Sequence, residues 1–287
     1  MLALESANSM SLIRFDSADA YLAAAGPLIA HDVARSVSLR AWIDGIKRAS
    51  ATERAFMAIW RSGNACGVAY QRNEQPVIVG DSVEGACVAF ADALADEHPK
   101  LEGVVGKLAA CEAFADRWRL LTGRTHSLRF HMRDHMLRAL IAPPAARGSI
   151  RVAGPADREW LLEMHHAFAA DARLPPLTPE RGRWLVDERL ADGTFRIWND
   201  VEDVAFVGCV SAGPDAARVV PVYTRPAFRA KGYGAAIVGA LCAELTQAGR
   251  QVFLVTDLSN ATSNALYARL GFVPLNDFYT FDFVDPS

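Results

Sequence analysis

Residues 219–235 read Val219-Val-Pro-Val-Tyr-Thr-Arg-Pro-Ala-Phe-Arg-Ala-Lys-Gly-Tyr-Gly-Ala235. An apolar strand runs to Tyr223, and Thr224-Arg-Pro226 ends it sharply. Arg229-x-x-Gly232-x-Gly234 then opens a helix that repeats Tyr233, Ile237, Leu241 and Leu245 down one face and stops at Gly249. The first turn of a helix leaves several N–H groups unpaired, and its dipole adds about half a positive charge there. Such a start accepts a diphosphate. Gly232 and Gly234 keep Cβ atoms out of its path, and Arg229 and Lys231 bring positive charge beside it. Spacing alone leaves an ordinary strand-loop-helix turn equally open. The flanks shift the balance, because the apolar run Gln251-Val-Phe-Leu-Val-Thr-Asp257 follows on schedule, as a strand buried on both faces does.

Working outward, Ala217–Tyr223 reads as the strand before the loop, with strands at Thr194–Trp198 and Ala205–Ser211 ahead of it. The spacing of Trp160, Leu161, Met164, Ala167 and Phe168 predicts a helix over 155–170. A second helix is expected over 179–190, with Thr178 as its N-cap. Asn260–Leu270 reads as a short helix ending at Gly271, and Asp277–Val284 alternates like a strand. The clearest punctuation in the chain is Ile141-Ala-Pro-Pro-Ala-Ala-Arg-Gly-Ser149, whose prolines disfavour helix. It divides the chain into domains at 1–143 and 149–287. The first half repeats the order weakly. Strands at 55–61, 66–71 and 77–80 precede a helix over 83–95, with Asp81 and Glu84 as a capping box. A strand at 101–105, a helix over 107–121, Gly123 and a strand near 127–133 follow. This order suggests an internal duplication. Two carboxylates at the first helix start would repel a diphosphate, so the first copy is expected to bind none.

Arg229-Ala-Lys-Gly-Tyr-Gly234 resembles the acyl-CoA motif of the GNAT superfamily of N-acetyltransferases, Arg/Gln-x-x-Gly-x-Gly/Ala. Asp257-Leu-Ser-Asn-Ala-Thr-Ser-Asn-Ala-Leu-Tyr-Ala-Arg-Leu-Gly-Phe272 resembles the family's second signature, in family order and at family spacing. The resemblance covers about the last third of the chain closely. It implies an α/β fold of two GNAT-like domains in tandem, each a mostly antiparallel sheet flanked by helices, the first degenerate. It also implies acetyl-CoA as co-substrate. The amides of Arg229, Ala230, Lys231, Gly232, Tyr233 and Gly234 would hold the pyrophosphate. Val222, Tyr223 and Thr224, at a strand end splayed from its neighbour, would meet the pantetheine and the thioester carbonyl. Asn260 or Asn264 would touch the pantetheine arm, and Tyr267 would lie near the sulfur.

Asn260, Asn264 and Tyr267 fall at i, i+4 and i+7, which places them on one helical face opposite Ala265, Leu266 and Leu270. For Asn260 a plain N-cap is an equal reading. For Tyr267 a core aromatic is the alternative, and for Asp257 an Asx-turn. Transfer to an amine needs the amine neutral, which costs a lysine-type group about 4–5 kcal/mol at pH 7. It also needs donors for the oxyanion and an acid for the thiolate, a part that suits Tyr267. Many relatives place a carboxylate on the central strand, but Val219–Tyr223 has none. Glu163, with His165 and His166, is the substitute to consider on the first helix of the second half. A non-catalytic acyl-CoA sensor is the competing class. A nucleotide-binding protein is disfavoured by the lack of Gly-x-Gly-x-x-Gly or a Walker lysine-serine pair.

The bulk numbers limit the partners. The 287 residues carry a net charge of -3, without the basic excess typical of nucleic-acid binding. Five scattered cysteines and no C-x-x-C pair argue against disulfides and against zinc, and His131 with His135 lacks a third ligand, so no metal is expected. No apolar run approaches the ~20 residues that span a bilayer, and no basic leader precedes one. The expectation is a cytoplasmic enzyme with a small-molecule amine or peptide acceptor, whose identity and whose own oligomeric state are not legible.

Overall fold

The computed structural model describes residues 10–30, 55–62, 65–72, 75–80, 82–174, 177–213 and 215–286. Two compact units emerge. The first takes Met1–Arg133, Asp257–Ser259 and Asn276–Ser287; the second takes Asp134–Thr256 and Asn260–Leu275.

In the first unit β1 (Ser11–Arg14), α1 (Ala18–Ala30), β2 (Ala55–Ser62), β3 (Ala65–Arg72) and β4 (Val77–Val79) are followed by α2 (Glu84–Ala95), β5 (Gly103–Gly106), α3 (Leu108–Thr122) and β6 (Thr125–Leu137). Strands β1 to β4 form an antiparallel meander, and β4 then pairs parallel with β5 through the α2 crossover. The run Phe56-Met-Ala-Ile-Trp60 is apolar throughout because β2 is buried on both faces. Phe56, Ala58 and Trp60 meet Phe90 of α2 and Phe114 and Trp118 of α3, while Met57 and Ile59 meet Tyr21 of α1. Elements β1 and α1 carry no strong periodic signal and were not foreseen. Asp81, half of the expected capping box, lies outside the described residues, and the N-cap of α2 is Val83, with no side-chain cap.

The second unit is built from β7 (Ser149–Val152), α4 (Arg158–Asp171), α5 (Pro179–Ala191), β8 (Phe195–Asn199), β9 (Asp203–Ser211), β10 (Ala216–Thr224), α6 (Tyr233–Gln247), β11 (Gln251–Asp257), α7 (Ala261–Arg269) and the start of β12 (Phe272–Val284). Strands β7 to β10 are again an antiparallel meander, and β10 pairs parallel with β11 through α6. Thr178 caps α5 as expected, its hydroxyl accepting from the Arg181 N–H. One face of this sheet packs on α6, with Tyr233, Ile237, Leu241 and Leu245 meeting Val207, Val219 and Leu254. The other packs on α4 and α5 through Leu161, Val186, Phe195 and Phe206. Both units thus share meander, crossover helix, parallel strand and following helix, and the mixed α/β fold expected from the sequence is present.

The division of the chain differs from a cut at 143–149. Residues 134–148 pack within the second unit, and residues 276–287 pack within the first. The cause is strand pairing. The latter part of β12 lies antiparallel to β5, with Tyr279 opposite Gly106 and Phe281 opposite Val104, and brings Phe281 and Phe283 into the core beside Trp118. Gly103 permits that approach, since a Cβ there would collide with the Phe281 carbonyl. Alternation marks a strand in the tail but does not say which partner it takes. Phe281→Ala should therefore destabilise the first unit by about 3 kcal/mol. Hydrogen exchange should show the loss at β4 and β5; unchanged protection there would contradict the pairing.

Candidate functional site

The site is set by where β10 and β11 part. Their parallel register covers only Ala216↔Gln251, Ala217↔Val252 and Arg218↔Phe253, although β10 continues to Thr224. On its other edge β10 stays paired with β9, with a register shift between Val219 and Val222. Arg189 of α5 grips this irregular stretch, its Nη1 donating to Val220 O at 2.7 Å. Beyond Arg218 the β11-facing edge of β10 is therefore unpaired by β11, as the resemblance implied for Val222, Tyr223 and Thr224. Main-chain groups in that position need water or a ligand.

The loop after β10 makes one 3₁₀ turn at Pro226–Phe228 and enters α6 through Gly232, whose φ is +87°. An L-residue is strained in that left-handed conformation, so the glycine is required by the backbone. Ala230, at φ +60°, already carries such strain. The first intrahelical bond runs from the Ala236 N–H to Gly232 O at 3.0 Å. The amides of Tyr233, Gly234 and Ala235 thus have no helical acceptor, and Gly232 offers no side-chain cap. The two charges expected beside this start behave differently. Arg229 is turned away, donating from Nε to Thr224 O at 3.1 Å, pairing with Asp171 and lying 5.4 Å from the Tyr223 ring centre. That pair is half exposed, so Arg229 keeps its charge at the surface. Lys231 has no carboxylate within 4 Å among the described residues, and its Nζ stands 5.1 Å from the Phe228 ring centre. Tyr233 anchors the helix start by donating to Asp200 Oδ2 at 2.7 Å. Phe228, Lys231, Tyr233 and Asp200, with Arg147 and Val201, line a depression of about 510 Å³.

On α7, Asn260 is the N-cap, its Oδ1 accepting from the Ser263 N–H at 3.0 Å. Asn264 Oδ1 accepts from the Thr256 hydroxyl at 2.6 Å, and that hydroxyl is 2.9 Å from His135 Nε2. Donating its one proton to Asn264 obliges Thr256 to accept from His135, which fixes an Nε2–H imidazole. Tyr267 is 8% exposed and packs edge-on against Phe272 with Leu266 and Leu270 in the same cluster. The division of α7 into a polar face and an opposite apolar face does not hold: Ala265 faces solvent, whereas Tyr267 shares the buried stripe with Leu266 and Leu270. Burial, with Cys242 nearby, raises the Tyr267 phenol, so it is protonated at neutral pH. Asp257 accepts from the Ser259 N–H at 2.8 Å, an Asx-turn.

Glu163 points to solvent on α4 and meets none of these groups, so the structure does not bring it to the cleft. His165 is buried instead, ringed by Phe168, Phe195 and Phe206, with no partner for Nε2. Burial, then the charge of Arg189 and the neighbouring His166, pulls it down to about 4. No group of three or more candidate ligands for a metal occurs among the described residues. His131 is held by Asp277 at 2.9 Å and stacks on Tyr279. The links from Arg229 to Asp171, Tyr233 to Asp200 and Arg189 to Val220 escaped the sequence reading, because each joins residues far apart in the chain.

The first unit has the same topology with its cleft shut. Strands β4 and β5 are paired at Val77↔Val104 and Ile78↔Val105, nearly the whole of β4. Only residues 80–83 link β4 to α2, against 225–232 between β10 and α6. Ser82 Oγ accepts from the Val68 N–H at 3.1 Å, and a Cβ on Gly67 would strike Ala86, so α2 sits directly on β3.

Residues 206–279 match the family model described as FR47-like protein. The GCN5-related N-acetyltransferase of Sphaerobacter thermophilus superposes with a TM-score of 0.63 at 14% identity, over 96% of this chain and 95% of that one. A tandem GNAT protein from the clavulanic acid biosynthesis pathway gives 0.57 at 13%, over 97% and 100%. The GCN5-related N-acetyltransferase of Kribbella flavida gives 0.52 at 18%, over 88% and 96%. No curated protein sequence matches. The chain has the GNAT fold in tandem. The match to the FR47-like model covers about a quarter of the chain and spans both the loop into α6 and α7.

The buried His165 makes a pH prediction. Its folded pKa, near 4, lies below the ordinary 6.5, so the unfolded chain binds the proton first and stability falls as pH drops from about 6.5 to 4. Replacement by Leu should remove about 2 kcal/mol of that pH dependence, read as the wild-type-minus-variant difference in urea unfolding at pH 7 and pH 4.5. Equal pH slopes for the two proteins would show that His165 is not held neutral.

Proposed function

We propose that the second unit binds an acyl-coenzyme A and transfers its acyl group, most simply acetyl, to a primary amine by direct attack. The single observation that carries this reading is the early end of the β10–β11 pairing beside an uncapped helix start. The residues present fit the cofactor. Amides of Tyr233, Gly234 and Ala235 suit the diphosphate, with Lys231 as the remaining nearby cation. The open edge of β10 at Val222–Thr224 suits the amides of an extended pantetheine chain.

The thioester supplies the electrophilic carbon. A main-chain N–H on the open edge near Val222 would receive the oxyanion. Tyr267 holds its proton at neutral pH and is the candidate to pass it to the departing thiolate, though burial makes it a weaker acid than a free phenol. Neither Glu163, which faces solvent, nor His165, which is neutral and sealed among aromatic rings, suits the base. The amine proton therefore leaves through solvent. The same lack of a base supports the second reading, a non-catalytic acyl-CoA sensor. Steady acyl transfer to any member of an amine panel decides between the two.

Gly232→Glu should abolish CoA binding in calorimetry while the protein stays folded, since its side chain enters open space near Ala146. Gly232→Ala separates backbone strain, about 1 kcal/mol, from the added charge, and should weaken binding by only about tenfold. Undiminished affinity in the Glu variant would refute the site. Tyr267→Phe should lower kcat by roughly 100-fold with little change in the Kd for CoA. Equal turnover would remove its role as acid.

A further inference from the structure

Arg218 stands at the closed end of the cleft, in the last pair that joins β10 to β11. Its strand neighbours Ala217 and Val219 both belong to the cluster packed on α6. Strand alternation therefore turns Arg218 to the opposite face, the one that packs on α4 and α5. Among the described residues its guanidinium has no hydrogen bond and no ion pair within 4 Å, and its Nε is sealed from solvent without an acceptor. Asp134, 4% exposed, acts on it only at longer range, opposing the burial that lowers its pKa. Arginine remains protonated in such a setting; the side chain is partly buried, its Nε is sealed, and its terminal nitrogens stay open to a ligand. The sealed Nε lacks an acceptor, and an anion on the fork would offset that cost. Two residues further on, Arg189 reaches Val220 O from α5 and adds positive potential to the same end of the strand.

We propose that Arg218 anchors a carboxylate at the closed end of the β10–β11 cleft, brought there by one of the two reactants. This rests on the acyltransferase reading above. The diphosphate itself is not the ligand. Arg218 and Thr224 are separated by an extended stretch of roughly 20 Å, and α6 begins beyond it on the other face. A planar carboxylate matches the guanidinium fork in two parallel hydrogen bonds. It belongs either to an acceptor of amino-acid type or to the far end of a dicarboxylic acyl group.

Calorimetry on the full chain separates the two sources. In one arm wild type and Arg218→Met are titrated with succinyl-CoA and with butyryl-CoA. In the other, each protein saturated with CoA is titrated with lysine and with cadaverine, and with phenylalanine and phenethylamine. In wild type one arm should favour the carboxylate-bearing ligand by about tenfold or more, and Arg218→Met should bring that ratio near one. A preference in the first arm assigns the carboxylate to the acyl group, and one in the second arm assigns it to the acceptor. Arg218→Lys, which keeps the charge without the fork, should fall between; it also serves if the Met variant fails to fold. Ratios near one in both arms of wild type, or a preference that survives in Arg218→Met, would overturn the proposal. Loss of all CoA binding by wild type would instead defeat the acyltransferase reading, so the two failures are distinguishable.

Discussion

Parallel strands joined by a crossover helix normally pair along their common length, and β4 with β5 does so. Strands β10 and β11 do not: after Arg218 and Phe253 they separate, while β10 keeps β9 on its other side. This one broken ladder creates the rest. It leaves a main-chain edge without its strand partner, and it opens a slot between two buried strands. The eight-residue connection 225–232 then lets the chain turn back so that the start of α6 lies beside Thr224 at the end of β10. Arg189 binds Val220 beside the register shift with β9, and Tyr233 with Asp200 holds the helix start.

The first unit shows how little separates a cleft from a closed sheet. It has the same meander, the same crossover and the same following helix. Its crossover loop is short, Ser82 bonds back to Val68, and α2 rests on β3 without intervening space. Helix starts in both units carry the same dipole, so the difference lies in access and charge. One start follows a long loop with Gly232 at positive φ. The other follows a tight one and bears Glu84 in its first turn.

Much of this was legible in the chain. The periodic helix from Tyr233, the apolar β11 run, Thr178 as a cap and the meander-crossover order are local signals, and local physics writes them. The splay at Val222–Thr224 came from the resemblance, because nothing in Val219–Tyr223 itself announces a broken ladder. What failed to show was long-range. The tail alternates like a strand but does not declare β5 as its partner. Arg229 reads as a cation beside the phosphate site, and its pairing with Asp171, on another helix, is not written nearby. Asn264 and Tyr267 share a helical face, yet burial of that face depends on α6 and β11, so the polar-versus-apolar division of α7 came out reversed at Ala265 and Tyr267. Glu163 was chosen by element, and its position on the turn sends it to solvent.

The central claim is that main-chain donors at the start of α6 grip a diphosphate. Backbone amide resonances of uniformly ¹⁵N-labelled protein, followed during titration with coenzyme A, test it most directly. The amides of Tyr233, Gly234 and Ala235 should move furthest and saturate together, with those of Val222–Thr224 following when the pantetheine arm is present and still with 3′-phospho-ADP, which keeps the diphosphate and lacks the arm. Shifts confined to other parts of the chain, with these amides unmoved at saturation, would contradict it.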